Sequence, residues 1–286
     1  MPEATIRGVT LNYRVFGTNG PWVSFTPGSR RGFGELVTLA ERIASAGYRV
    51  LLHDRRNCGA SEVGIEPIAS EHEIWADDFD LLCKQLGATP IWAGGSSAGA
   101  RLALLFALRH PESASGLLLW RVTGGAHAAE KLSQQYYGSF MEVAETGGME
   151  AVCATGHFAD GIRARPSNRD RLMRTSPKDF IDTMAMWRKR FLEDADLPVV
   201  GATEADLQSL KIPVCIIQGN DKVHTPVAAQ KAHRLIANSE LIDDVVEKRP
   251  DNDLLLTWDQ QDWFSKEPRI ADVFLSFLKR HASAGR

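Results

Sequence analysis

The apolar run Pro90-Ile91-Trp92-Ala93-Gly94 leads into Gly95-Ser96-Ser97-Ala98-Gly99, and an apolar helical run, Leu102 to Leu108, leads out. A strand that reverses into a helix over so few residues forces its middle residue into a strained turn. Small neighbours let the backbone fold beneath that residue. The pattern predicts a strand–turn–helix with Ser97 lifted above a sheet edge, against the plainer reading of a glycine-rich turn. The first N–H groups of such a helix lack intrahelical partners and direct its positive end toward the serine.

The surrounding rhythm sets the fold class. Leu11–Phe16, Pro21–Thr26, Tyr48–His53, Leu117–Trp120 and Ile212–Ile217 read as strands. Between and after them, residues 34–46, 74–86 and 270–278 carry apolar positions at helical spacing. Strands alternating with helices at this interval predict a mostly parallel central sheet with helices on both faces. The rhythm breaks from Ala126 to Asp206, where aromatic residues and methionines recur at helical spacing. The expected organisation is therefore a core of residues 1–125 and 207–286, with 126–206 as a helical cap over the strand ends, where open parallel sheets bind ligands.

Composition narrows the partners. With 33 basic and 36 acidic residues the net charge is −3, which gives no electrostatic case for nucleic acid or an anionic membrane. The first residues lack the layout of a signal peptide, and no apolar run spans a bilayer. Cys58, Cys83, Cys153 and Cys215 show neither metal-ligand nor C-x-x-C spacing, so reduced thiols and a cytoplasmic location are expected. No metal or cofactor is expected. The partner is a small-molecule substrate, and a homodimer stays open.

Three further segments, with the turn at Ser97, resemble the α/β-hydrolase superfamily over nearly the whole chain. Pro27-Gly28-Ser29 stands where that family has its oxyanion loop. Asp54-Arg55-Arg56-Asn57-Cys58-Gly59-Ala60-Ser61 is similar to its D-x-R-G-x-G-x-S turn, with Asn57 replacing a glycine. Gly219-Asn220-Asp221-Lys222-Val223-His224-Thr225-Pro226 looks like the segment that supplies the acid. The resemblance implies Ser97 as nucleophile and Asp221 as the carboxylate that orients the base. It implies the N–H of Ala98 as one oxyanion donor and that of Ser29 or its neighbour Arg30 as the other. A serine hydroxyl needs a base, and two aimed N–H groups stabilise the charge that develops on a carbonyl oxygen.

The family places its histidine after the eighth strand, but residues 240–253 contain none. Of the histidines that follow Asp221, His224 lies on the cleft loop, whereas His233 reads as a surface or half-buried helix residue and His281 as solvated in a polar tail. His127, at the entrance to the 126–206 segment, is a second candidate, either as a displaced base or as a substrate contact. His157 is a lining or surface residue of the cap. Arg30 and Arg31 could hold a substrate carboxylate as paired donors, or simply face solvent. The implied activity is a cofactor-free serine hydrolase for an ester or lactone of a small, partly apolar substrate. C–C bond hydrolysis or a lyase step on the same fold, and a non-catalytic ligand-binding or decayed hydrolase, are the alternatives. Each enzymatic reading expects Ser97 to face a cavity roofed by the 126–206 segment.

Overall fold

A computed structural model describes residues 2–68, 70–256 and 260–281. Its centre is an eight-stranded sheet of order β1-β2-β4-β3-β5-β6-β7-β8. The strands are β1 (Glu3–Ile6), β2 (Val9–Phe16), β3 (Trp22–Thr26), β4 (Arg49–His53), β5 (Ile91–Ser96), β6 (Ala114–Trp120), β7 (Val214–Ile217) and β8 (Ser239–Ile242). β1 and β2 join antiparallel, and every pairing from β4 to β8 is parallel. The mostly parallel sheet is as the sequence implies. β1 went unread because its four residues alternate too briefly to form a pattern.

Burial follows from helices on both faces. β5 is buried at every residue, and β6 at all but one, as strands covered on both sides should be. One face packs α2 (Glu71–Gln85), α3 (Ala98–Arg109) and α10 (Pro226–Leu235), with Trp75, Phe79 and Phe106 at its centre. The other packs α1 (Val37–Ser45) and α11 (Gln260–His281). There the fully buried Trp120 meets Phe25 and Phe274 with ring centroids 6.0 and 5.5 Å apart. Burying each such ring contributes roughly 2–3 kcal/mol, and Trp120 fixes the end of β6 beside the turn at Ser97.

Between β6 and β7 the chain is helical: α4 (Ala126–Ser133), a π-turn at Gln134–Gly138, α5 (Ser139–Ala154), α6 (Gly156–Ala164), α7 (Ser167–Arg174) and α8 (Pro177–Glu193). These helices share an apolar cluster that includes Tyr137, Phe158, Phe180 and Trp187. The boundary expected at 206 falls inside α9 (Glu204–Ser209), whose Leu207 is buried in the sheet-side core. Among the described residues no helix is long and apolar enough to cross a membrane.

Candidate active site

Ser97 joins β5 to α3 at φ +54°, ψ −111°, a left-handed backbone that a side-chain-bearing residue adopts only when its surroundings impose it. The flanking glycines explain how the turn closes. A Cβ on Gly95 would lie 2.3 Å from the carbonyl carbon of Gly99, and one on Gly99 would lie 2.0 Å from the carbonyl oxygen of Thr26. The Ser97 N–H donates to Trp120 O (3.2 Å), which ties the turn to β6.

His224 meets the serine from the loop after β7. Its Nε2 stands 2.8 Å from Ser97 Oγ, and its Nδ1 stands 2.8 Å and 3.0 Å from the two carboxylate oxygens of Asp221. Acid and imidazole are only three residues apart, and a tight turn makes that spacing work. Asp221 Oδ1 accepts from the backbone N–H of Val223 (2.9 Å) and of His224 (3.0 Å), folding the chain back so that the ring projects toward α3. Gly219 gives it room, since a Cβ there would lie 2.7 Å from that of His224. From the segment after β8, Leu255 pairs with the Asp221 loop through Lys222 N–H and Asn220 O.

Arg121, at the end of β6 with φ +58°, was not singled out from the sequence. Its Nη2 donates to Asp221 Oδ2 (3.0 Å) and lies 3.0 Å from His224 Nδ1. With Nε2 accepting from the serine, Nδ1 carries the proton and donates to Asp221, so the guanidinium bonds the carboxylate and only abuts the ring. Burial first, then the Arg121 charge, pushes His224 down to about 4, against the hydrogen bond and charge of Asp221. Burial acts to raise the Asp221 carboxyl, but His224 and Arg121 outweigh it and hold it well below the usual carboxylate range. Near neutral pH the imidazole is neutral and the carboxyl ionised.

The Pro27-Gly28-Ser29 loop lies over this site. A Cβ on Gly28 would lie 3.3 Å from that of Ser97, and Ser29 has φ +47°. Arg55 Nη2 donates to Ser29 O (2.7 Å). In a trans peptide the next N–H, that of Arg30, points away from that carbonyl. Asp54 braces the loop from below, accepting from Phe33 N–H (2.7 Å), Ala60 N–H (2.8 Å) and Asn12 Nδ2 (2.8 Å). Asn57, in place of the family glycine, has φ +65°, and asparagine is one of the few residue types that tolerates this region.

Other sequence candidates fall elsewhere. Both terminal nitrogens of Arg30 are taken by Glu71 (2.9 and 2.6 Å), which also accepts from Asn57 Nδ2 and the Tyr137 hydroxyl. Arg31 pairs with Glu35 at 3.0 Å. The expectation for His127 is corrected: it is exposed, because α4 buries Ala128, Ala129 and Leu132 and turns His127 outward. His233 bonds Ser239 Oγ at 2.8 Å, away from the serine. A cavity of about 640 Å³ opens between the loop and the helical insertion, lined by Ser29, Arg30, Tyr136, Phe140 and His157. Ser97 is 5% exposed and one step removed from that cavity. It therefore meets the cavity through the Gly28-Ser29 loop and not directly as expected.

Residues 26–144 match the family model of the α/β hydrolase fold. A proline iminopeptidase of Clostridioides difficile is 27% identical over 160 residues, which are 54% of this chain and 53% of that one, so the chain spans about half that relative's length. Among solved structures, the enol-lactonase of Burkholderia xenovorans has a TM-score of 0.63 at 18% identity, covering 97% of this chain and 100% of the other. A meta-cleavage product hydrolase of Pseudomonas fluorescens has a TM-score of 0.65 at 16% identity, covering 98% of each. At such identities these structures speak for the fold. With the sheet order and the turn at Ser97, the match over residues 26–144 identifies the α/β hydrolase fold in this chain.

Proposed function

We propose that this protein is a cofactor-free serine hydrolase that cleaves an ester or lactone. The observation that carries the reading is the 2.8 Å contact between His224 Nε2 and Ser97 Oγ, with His224 Nδ1 held by Asp221. In the proposed mechanism a neutral His224 takes the hydroxyl proton as Ser97 attacks the carbonyl carbon. The Ala98 N–H at the start of α3 and the N–H of Ser29 or Arg30 bind the oxyanion, and such a donor contributes about 3 kcal/mol. His224 then protonates the leaving oxygen, and water, activated by the same imidazole, releases the acid. Residues 126–206 act as the cap, and their movement against the Gly28-Ser29 loop admits substrate to the covered serine.

The imidazole contact weighs against a non-catalytic binding protein, whose serine would need no base. A fluorophosphonate probe tests the assignment. Wild-type protein is expected to be labelled at Ser97 and to hydrolyse nitrophenyl esters, and Ser97→Ala is expected to lose both, by at least about 10³-fold in rate. Labelling that persists in Ser97→Ala, or unchanged turnover, overturns the proposal.

A further inference from the structure

Three guanidinium groups lie buried beneath the helical insertion, and one carboxylate answers them. Arg30 is neutralised by Glu71. Arg55 (1% exposed) and Arg101 (2% exposed) have no carboxylate within 4.0 Å among the described residues. Arg55 spends Nη2 on Ser29 O and lies 4.4 Å over the Trp75 ring. Arg101 places Nη1 2.9 Å from His72 Nε2 and lies 4.5 Å over Phe191. His72 packs edge-on against Trp75 at 4.7 Å, so Arg55, Trp75, His72 and Arg101 form one continuous chain of contacts. Asp194 is the carboxylate whose charge acts on Arg101, and it makes no ion pair with it.

Every nitrogen left unsatisfied in this cluster is a donor, and the Tyr136 hydroxyl beside them can donate too. Arg55 Nε and Nη1, Arg101 Nε and Nη2, His72 Nδ1 and the Tyr136 hydroxyl are buried without a hydrogen-bond partner. His72 Nε2 accepts from Arg101, so its Nδ1 carries the proton and is a donor too. A buried group of donors with excess positive charge is costly unless an anion completes it. Both arginines bear on the candidate site: Arg55 Nη2 holds the Ser29 carbonyl, and Arg101, one turn into α3, places its charge where it acts on His224.

We propose that Arg55 and Arg101, with His72 Nδ1–H and the Tyr136 hydroxyl, form a subsite for the carboxylate of an acidic substrate whose ester or lactone carbonyl is attacked by Ser97. The proposal rests on the serine-hydrolase reading and narrows its substrate class to half-esters and lactones that carry a free acid. Planar guanidiniums match a carboxylate through paired N–H donors, and their charge disfavours a cationic substrate group beside them.

Two measurements test this, one of them independent of turnover. The first compares kcat/KM for the mono-nitrophenyl ester of glutaric acid with that for nitrophenyl butyrate. Wild type is expected to prefer the acidic ester by about tenfold to a hundredfold, the range for a charge-assisted hydrogen-bonded pair. In Arg101→Met that ratio is expected to collapse toward one, and Arg101→Lys is expected to restore part of it. The second follows the melting temperature with glutarate or with glutaramide. Glutarate is expected to stabilise wild type and Ser97→Ala, glutaramide neither, and Arg101→Met is expected to lose the glutarate effect. Ester turnover with no acid preference and no glutarate stabilisation overturns the subsite while leaving the hydrolase standing. Glutarate stabilisation without turnover or labelling supports the subsite and overturns the hydrolase.

Discussion

Arg121 Nη2 donates to Asp221 Oδ2, the same oxygen that receives His224 Nδ1–H, so a buried cation stands 3.0 Å from the imidazole it helps to orient. Its charge opposes formation of an imidazolium, while Asp221 favours it. Replacing Arg121 with Gln removes the opposing charge and leaves an N–H donor. The expected result is a rise in the pKa of His224 above its present value of about 4. Because the free base is the active form, the acidic limb of kcat/KM against pH moves to higher pH in Arg121→Gln. A purely structural role for Arg121 would lower kcat/KM without moving the limb. The pH–rate profile of the two proteins on a neutral ester separates these outcomes.

Acid should unfold this protein early. His53 is pushed to about 3, His224 to about 4, and His72 well below its ordinary value, in each case chiefly by burial. Unfolded, each has its ordinary value of 6.5. Between that value and its folded pKa, each histidine binds more protons unfolded than folded, so stability falls as pH drops through that window. The slope is about 1.4 kcal/mol per pH unit for each such histidine. Asp221 adds in the same direction lower down: its contribution is complete above 3.8 and is lost as pH falls below that. Denaturant titrations at pH 7, 6 and 5 should show a progressive loss, and a flat profile would contradict it.

Gly99→Ala reverses a familiar sign. In an ordinary helix interior the change stabilises by roughly 1 kcal/mol. Here the added methyl would lie 2.0 Å from Thr26 O, a backbone atom of a central strand that cannot give way. A loss of about 3 kcal/mol is expected, as for overpacking, together with lost activity as the turn shifts Ser97. Chemical denaturation of the purified variant measures it.

The Arg30–Glu71 pair makes a separable stability claim. Glu71 is fully buried and answers Arg30 through both carboxylate oxygens. Glu71→Leu leaves a buried guanidinium uncompensated and is expected to cost about 3–5 kcal/mol. Arg30→Met combined with Glu71→Leu should recover most of that loss. A double-mutant cycle read by urea denaturation decides, and simple additivity of the two losses would refute the coupling.

Local sequence carried the turn at Ser97, because its small residues and apolar flanks are contiguous and their strain is a property of one segment. It carried the parallel sheet for the same reason, since strand and helix periods are local. The imidazole was harder to find. His224 follows Asp221 so closely that only the backbone bonds from Val223 and His224 to Asp221 Oδ1 let its ring reach Ser97, 127 residues away. Arg30 shows the opposite difficulty: beside Arg31 it reads as a free cation, and its partner Glu71 lies 41 residues on. Arg121 meets its partner across 100 residues and Arg101 across 29. Their one local signal is a charge set among apolar neighbours, in Leu117-Leu118-Leu119-Trp120-Arg121 and in Ala98-Gly99-Ala100-Arg101-Leu102.

Because a single short hairpin after β7 holds both Asp221 and His224, any displacement of that hairpin carries the two side chains together. Their mutual alignment would survive a motion that changes only the gap to the hydroxyl, whereas proton-transfer partners on separate loops would drift apart. Among the described residues, the peptide that follows β8 steadies that loop through the backbone of Leu255, so support and chemistry sit on different segments.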